Sequence, residues 1–113
     1  MRMLVRFVSS ETGEVLMYAD VAKVLLEAIG KETTARGAFL TEQMLPAAQA
    51  LRDAVRRSEA LQPPEDEEDE DEKKKKEPIV GLRQRAWPLI DMLERTAVSG
   101  PKANIVWEAA ADF

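Results

Sequence analysis

"EVLMYADVAKVLLEAIG", residues 14–30, is the stretch on which the architecture turns. Met17, Val21, Val24, Leu25, Ala28 and Ile29 fall on one stripe at helical spacing, and Gly30 stands where a helix C-cap glycine belongs. The spacing predicts a helix over most of it. A second reading stays open: "EVLMY" as the second strand of a hairpin, followed by a shorter helix capped by Asp20.

Working outward, "RMLVRFV" at residues 2–8 reads as a strand. Met3, Val5 and Phe7 share one face by period-two alternation, and Arg2 and Arg6 share the other with Leu4 and Val8. "SSETG" reads as the turn that follows. Residues 31–44 are irregular apart from "RGAFL", a candidate short strand. A second helix is predicted from near Pro46, a residue suited to a first helical turn, to about Leu61. Its expected buried stripe is Leu45, Ala48, Leu51 and Val55.

A third helix is predicted over 82–98, with Leu82, Ala86, Leu89, Ile90, Leu93 and Ala97 inward and Gly100 and Pro101 as its stop. Pro88 lies about two turns in, where it removes a backbone donor, so a kink or a break is expected there. "ANIVWE" reads as a final strand with Ile105 and Trp107 on one face, able to pair with the N-terminal strand. The sum is α+β: a small antiparallel sheet that includes both terminal strands, packed by about three helices, in one domain spanning 1–113.

Residues 62–78 depart from this pattern. "EDEEDEDEKKKKE", Glu65 to Glu77, holds nine acids and four lysines, and its net −5 equals that of the whole chain. The remainder balances at twelve acids and twelve bases, so the acidity describes the insert and not the body. Four acid-to-lysine pairs at i,i+4 (Asp69–Lys73 to Glu72–Lys76) are offset by four like-charge pairs at the same spacing (Glu65–Asp69 to Glu68–Glu72). With no apolar stripe to dock, the insert is predicted to be a disordered tether. It contains no glycine for an EF-hand turn, and its acids mask the KKKK run as an address. The expectation is that replacing Glu65–Glu77 by a neutral linker leaves the melting temperature unchanged at low and high salt. A drop of several degrees at both would make the insert structural.

"VLMYADVAKVLLEAIG", "GLRQRAWPLIDMLERTA" and "IVWE", with the acidic insert before the second piece, resemble a bacterial family known as domain of unknown function 1840. The text at Leu16–Lys23 and "QRAWPLI" at Gln84–Ile90 carry most of the likeness. The resemblance implies a small intracellular single-domain protein and makes Pro88 a family feature. It implies no activity, cofactor or catalytic residue. Gly81 departs from it, since a serine-like N-cap is expected there.

The chemistry is bounded mainly by two zeros. There is no cysteine and no histidine. A disulfide framework, a thiolate zinc site, a cysteine nucleophile and a histidine base are thereby excluded. The glycines are isolated, so neither GxGxxG nor a phosphate loop is present. No catalytic, cofactor-binding or metal residue is assigned. Asp91 and Glu94 share a helix face, but Asp91 can pair with Arg95, and carboxylate di-iron helices add a histidine that this chain lacks.

Arg52, Arg56 and Arg57, with Arg83 and Arg85, form a candidate basic patch. A nucleic-acid partner is disfavoured by the neutral body and the acidic insert. The plainer reading is exposed helix surface with Asp53 paired to Arg57, and a third has the patch receive the acidic insert. Trp87, beside Pro88, is either core or a pocket and interface residue, whereas Trp107 on its alternating strand reads as core. No run approaches a membrane span, and no signal peptide is visible. The expectation is a cytoplasmic interaction or adaptor module, with an unknown protein partner or self-association. The alternative is a small-molecule-binding or carboxylate-dependent enzymatic domain built around the third helix. DNA mimicry by the acidic run ranks last.

Overall fold

The computed structural model describes residues 3–60 and 81–113, and the tether expected over 62–78 lies outside the described residues. The elements are β1 (Leu4–Ser9), β2 (Gly13–Tyr18), α1 (Ala19–Ile29), β3 (Arg36–Leu40), α2 (Thr41–Ala60), α3 (Leu82–Ala97) and β4 (Asn104–Ala109). The strands form one antiparallel sheet in the order β2-β1-β4-β3. The α+β expectation holds, and β1 and β4 tie the two ends of the chain together, Phe7 opposite Trp107.

Alternation sorts the sheet into two faces. Val5, Phe7, Phe39, Ile105 and Trp107 turn inward and are buried with Leu25, Leu26, Met44, Leu51, Leu89 and Leu93 of the helices. Leu4, Leu16, Tyr18, Leu40 and Val106 remain exposed. Among the described residues, three helices thus cover one face of the sheet and nothing covers the other.

The helix expected over 14–30 begins only at Ala19, and residues 13–18 are the second strand of a hairpin. Met17 therefore belongs to the sheet. Val15 and Met17 pack beside Phe7 and Val5, their cross-strand neighbours, and this pairing outweighs a spacing that also fits a helix. Asp20 is not the cap. Tyr18 holds that position without a side-chain bond, and Asp20 lies in the first turn, where its carboxylate accepts from the Val21 N–H (2.9 Å). The C-terminus is as expected. Gly30 is left-handed at φ 85°, its N–H donates to Glu27 O, and Lys31 N–H donates to Leu26 O, the two bonds of a Schellman motif.

Helix α2 starts at Thr41, five residues before Pro46. Gln43, three residues beyond Leu40, reaches back to accept the Leu40 N–H (2.9 Å), the second half of a capping box. Thr41 Oγ1 donates to Ala103 O (2.7 Å) and fastens this end to the segment before β4. The buried stripe is consequently Met44, Ala47, Ala48, Leu51 and Val55, while Leu45 is 52% exposed, contrary to expectation. Helix α3 runs unbroken through Pro88 and buries the expected Leu82, Ala86, Leu89, Ile90 and Leu93, so the break does not occur. Among the described residues no helix is long and apolar enough to cross a membrane.

One buried polar contact joins the layers. Ser9 Oγ accepts the N–H groups of Glu11 (3.0 Å) and Thr12 (3.1 Å) in the hairpin turn. Both its lone pairs are then used, so its own proton goes to Thr96 Oγ1 of α3, 2.7 Å away. This bond fixes the β1–β2 turn against the last turn of α3.

Candidate interaction groove

Helices α2 and α3 lie antiparallel, as their side-chain pairings show: Arg52 meets Glu94 and Glu59 meets Arg83. Residues three or four apart line each side of the seam, Arg52, Val55 and Arg56 on α2 and Arg83, Trp87 and Ile90 on α3. Together they bound a cleft of about 270 Å³. Its floor is apolar and its walls carry guanidinium groups.

Trp87 is 49% exposed, so the core alternative for it fails. The Arg52 guanidinium sits 5.2 Å from the ring centroid, in cation–π range. The same guanidinium forks onto Glu94 through Nε–Oε2 (3.0 Å) and Nη2–Oε1 (2.9 Å). That fork holds the Arg52 pKa above its usual value. Trp87 is thus a presented aromatic surface whose covering arginine is oriented by a carboxylate on the opposite helix.

Arg83 makes a second fork, onto Glu59, at 2.8 Å through both Nε and Nη2. These hydrogen bonds hold the Glu59 carboxyl below its usual range and raise Arg83. Arg56 Nη2 donates to Asp53 Oδ1 (2.8 Å), and Gln49 bonds the same oxygen (3.1 Å). The expected Asp53–Arg57 pair is therefore replaced by an i,i+3 pair with Arg56. Asp91 and Arg95 pair as expected, at 3.6 Å. Asp91 and Glu94 do not act together, because Glu94 is turned to Arg52.

Of the six residues singled out in the sequence, the fold gathers Arg52, Arg56, Arg83 and Trp87 around one cleft and leaves Arg57 and Arg85 outside its lining. Glu59 and Glu94 escaped notice. Each is 24 and 42 positions from its partner, and only the antiparallel register of two helices joined across the insert brings the pairs together. A wider depression beside Gly30, Lys31, Gln43 and Pro46 offers no aromatic surface. Among the described residues, no three carboxylates gather as a metal site would require.

The chain belongs to the family described as domain of unknown function 1840, whose model matches residues 3–107. No curated protein and no solved structure matches the chain.

Proposed function

We propose that this protein works in the cytoplasm by binding, as an interaction module, and that the groove between α2 and α3 is where it takes hold of a protein partner. The observation that carries this reading is Trp87: half exposed over an apolar floor of Val55 and Ile90, with Arg52 laid across it. Aromatic residues and arginine are the side chains that dominate protein contact sites.

The chemistry of the groove favours a partner that inserts one apolar side chain beside a carboxylate. The floor accepts the apolar group. A guanidinium has five N–H donors, and the forks onto Glu94 and Glu59 engage only Nε and Nη2 of Arg52 and Arg83. Among the described residues nothing engages the Nη1 donors of either, which suits them to an incoming acid. The forks also hold the two arginines in place beforehand, which lowers the entropy lost on binding.

The test is affinity capture from the native host with the full chain, in parallel with Trp87→Ala and Arg83→Ala, each confirmed as folded by circular dichroism. The expected result is a partner retained by wild type and lost by Trp87→Ala. In solution that partner should shift Trp87 emission, since Trp107 is buried. A partner captured equally by both variants, with no shift, would refute the groove as the contact site.

A further inference from the structure

The two edges of the sheet are not alike. Ala109 N–H donates to Ala35 O (2.7 Å), so the odd residues of β3 bond inward to β4, and the backbone groups of Arg36, Ala38 and Leu40 point outward. Side chains occupy these positions one after another. Thr34 Oγ1 donates to Arg36 O (2.7 Å), Lys31 Nζ donates to Ala38 O (3.0 Å), and Gln43 Oε1 accepts the Leu40 N–H (2.9 Å). These bonds cap the β3 edge at one backbone group of each outward residue.

At the other edge, Ala19 N–H donates to Met3 O (2.8 Å), and the same alternation turns the backbone groups of Glu14 and Leu16 outward from β2. Among the described residues no side chain is bonded to them. Nor does β2, "GEVLMY", contain a proline, a lysine or a bulge, and its one charged residue, Glu14, is tied to Arg6 of β1 (2.6 Å). Apolar surface also collects here. Leu16 is 55% exposed on the open face, Leu4 and Tyr18 stand opposite one another beside it, and Val15 and Met17 are only half covered on the inner face.

We infer that β2 is the edge through which the chain pairs with a second copy of itself, antiparallel and centred on Leu16. The strand complements its own reverse in that register. Leu16 meets Leu16 and Val15 meets Met17, while Glu14, already paired to Arg6 of its own chain (2.6 Å), comes opposite the partner's position 18. Centring on Val15 instead would set Glu14 opposite Leu16 and give up the contact between the two Leu16 side chains. The Leu16 register also lets the two Leu16 residues exchange both backbone bonds, closing a pair of four-stranded sheets into one of eight. This inference is independent of the groove, because it rests on the sheet and not on the helices.

Sedimentation of the full chain over a range of concentrations provides the test, with expected species at one and two chain masses. Leu16→Lys places like charges opposite each other at the centre of the contact and should weaken the dimer by about tenfold or more. Leu16 is exposed, so the variant is expected to fold with unchanged circular dichroism. Leu16→Cys supplies a second readout in a chain with no cysteine of its own. Hydrogen-bonded antiparallel partners stand about 5.5 Å apart at Cα, within disulfide reach, so oxidation should yield a covalent dimer. Leu40→Cys, on the capped edge, should not. A wild-type chain that stays monomeric at millimolar concentration overturns the inference. So does a dimer indifferent to Leu16→Lys, or one cross-linked equally well through position 40.

Discussion

Adding a single methyl group at Gly37 should cost this protein a large part of its stability. Gly37 faces Trp107 across the β3–β4 ladder, and the indole lies directly over its Cα. A Cβ built there overlaps Cζ2, Cη2 and Cε2 of the six-membered ring. The residue is not glycine for conformational reasons, since its φ is not positive. Space alone dictates it. The ring cannot yield easily: Phe39 and Phe7 pack on it with centroids 5.5 and 6.1 Å away, and its N–H donates to Thr34 O at 2.9 Å. Overpacking of a tight site costs roughly 1–3 kcal/mol, and truncating a buried tryptophan to alanine costs roughly 3–5. Gly37→Ala should fall where these meet, at about 3 kcal/mol. At a urea slope of about 1–3 kcal/mol/M, the midpoint would drop by roughly 1–3 M. Denaturation followed by far-ultraviolet circular dichroism measures it. A double-mutant cycle identifies the cause, because Gly37→Ala should cost much less in a Trp107→Leu background, with a coupling of about 2 kcal/mol. A loss below about 0.5 kcal/mol, the range of an ordinary surface change, would refute the reasoning, as would equal losses in both backgrounds.

Thr96→Val removes the acceptor of the Ser9 hydroxyl and should destabilise by about 1–3 kcal/mol, with Ser9→Ala in the same chain restoring little because the turn then loses its own acceptor. Glu59→Gln should destabilise at neutral pH and less in acid. The Glu59 carboxyl is depressed in the folded chain by its bonds to Arg83, so its contribution is complete above the unfolded value and vanishes as pH falls through the folded one. Thermal melts of both chains across that window should converge at the acid end, and parallel curves would contradict this. Arg52→Ala uncovers Trp87 and should raise acrylamide quenching of its emission while leaving the melting temperature nearly unchanged. Unaltered quenching would mean that Arg52 does not cover the ring.

Much of the architecture was legible in the residues, for reasons that also explain the failures. The terminal strands were legible because Val5 and Phe7 alternate with Leu4 and Arg6, and Ile105 and Trp107 with Val106, a pattern that only a half-covered sheet satisfies. Helix α3 was legible because its stripe persists over four turns. Residues 14–18 were not, since Met17, Val21 and Val24 fit a helix while Val15 and Met17 fit a strand, and only pairing with β1 separates the two. The phase of α2 was misread because Pro46 suggested a start, whereas Gln43 and Thr41 set the true one through bonds to distant backbone. At the groove, the sequence offered Arg52, Arg56, Arg57, Arg83, Arg85 and Trp87 together, and nothing in it separated the four that line the cleft from Arg57 and Arg85. It could not reveal that each arginine is held by an acid. The capped and open sheet edges were beyond reach altogether, because Lys31, Thr34 and Gln43 acquire that role only once β3 is known to be outermost.

The edge and the groove make a joint prediction that neither makes alone. Two antiparallel strands joined in one sheet are related by a two-fold axis perpendicular to it, so inner faces stay with inner faces. Both helix layers of the pair, and both grooves, then look to the same side. A partner presenting two copies of its docking segment could engage both, and bivalent attachment of suitable span raises apparent affinity by about 10²–10⁴ without a new contact. Leu16→Lys lies on the far face of the sheet and touches nothing in the groove. It should therefore leave the affinity for a single docking segment unchanged while weakening retention on a surface densely coated with that segment. Trp87→Ala should abolish both. Equal losses from Leu16→Lys in the two formats would mean that the β2 edge itself contacts the partner, and no loss in either would mean that pairing and binding are unconnected.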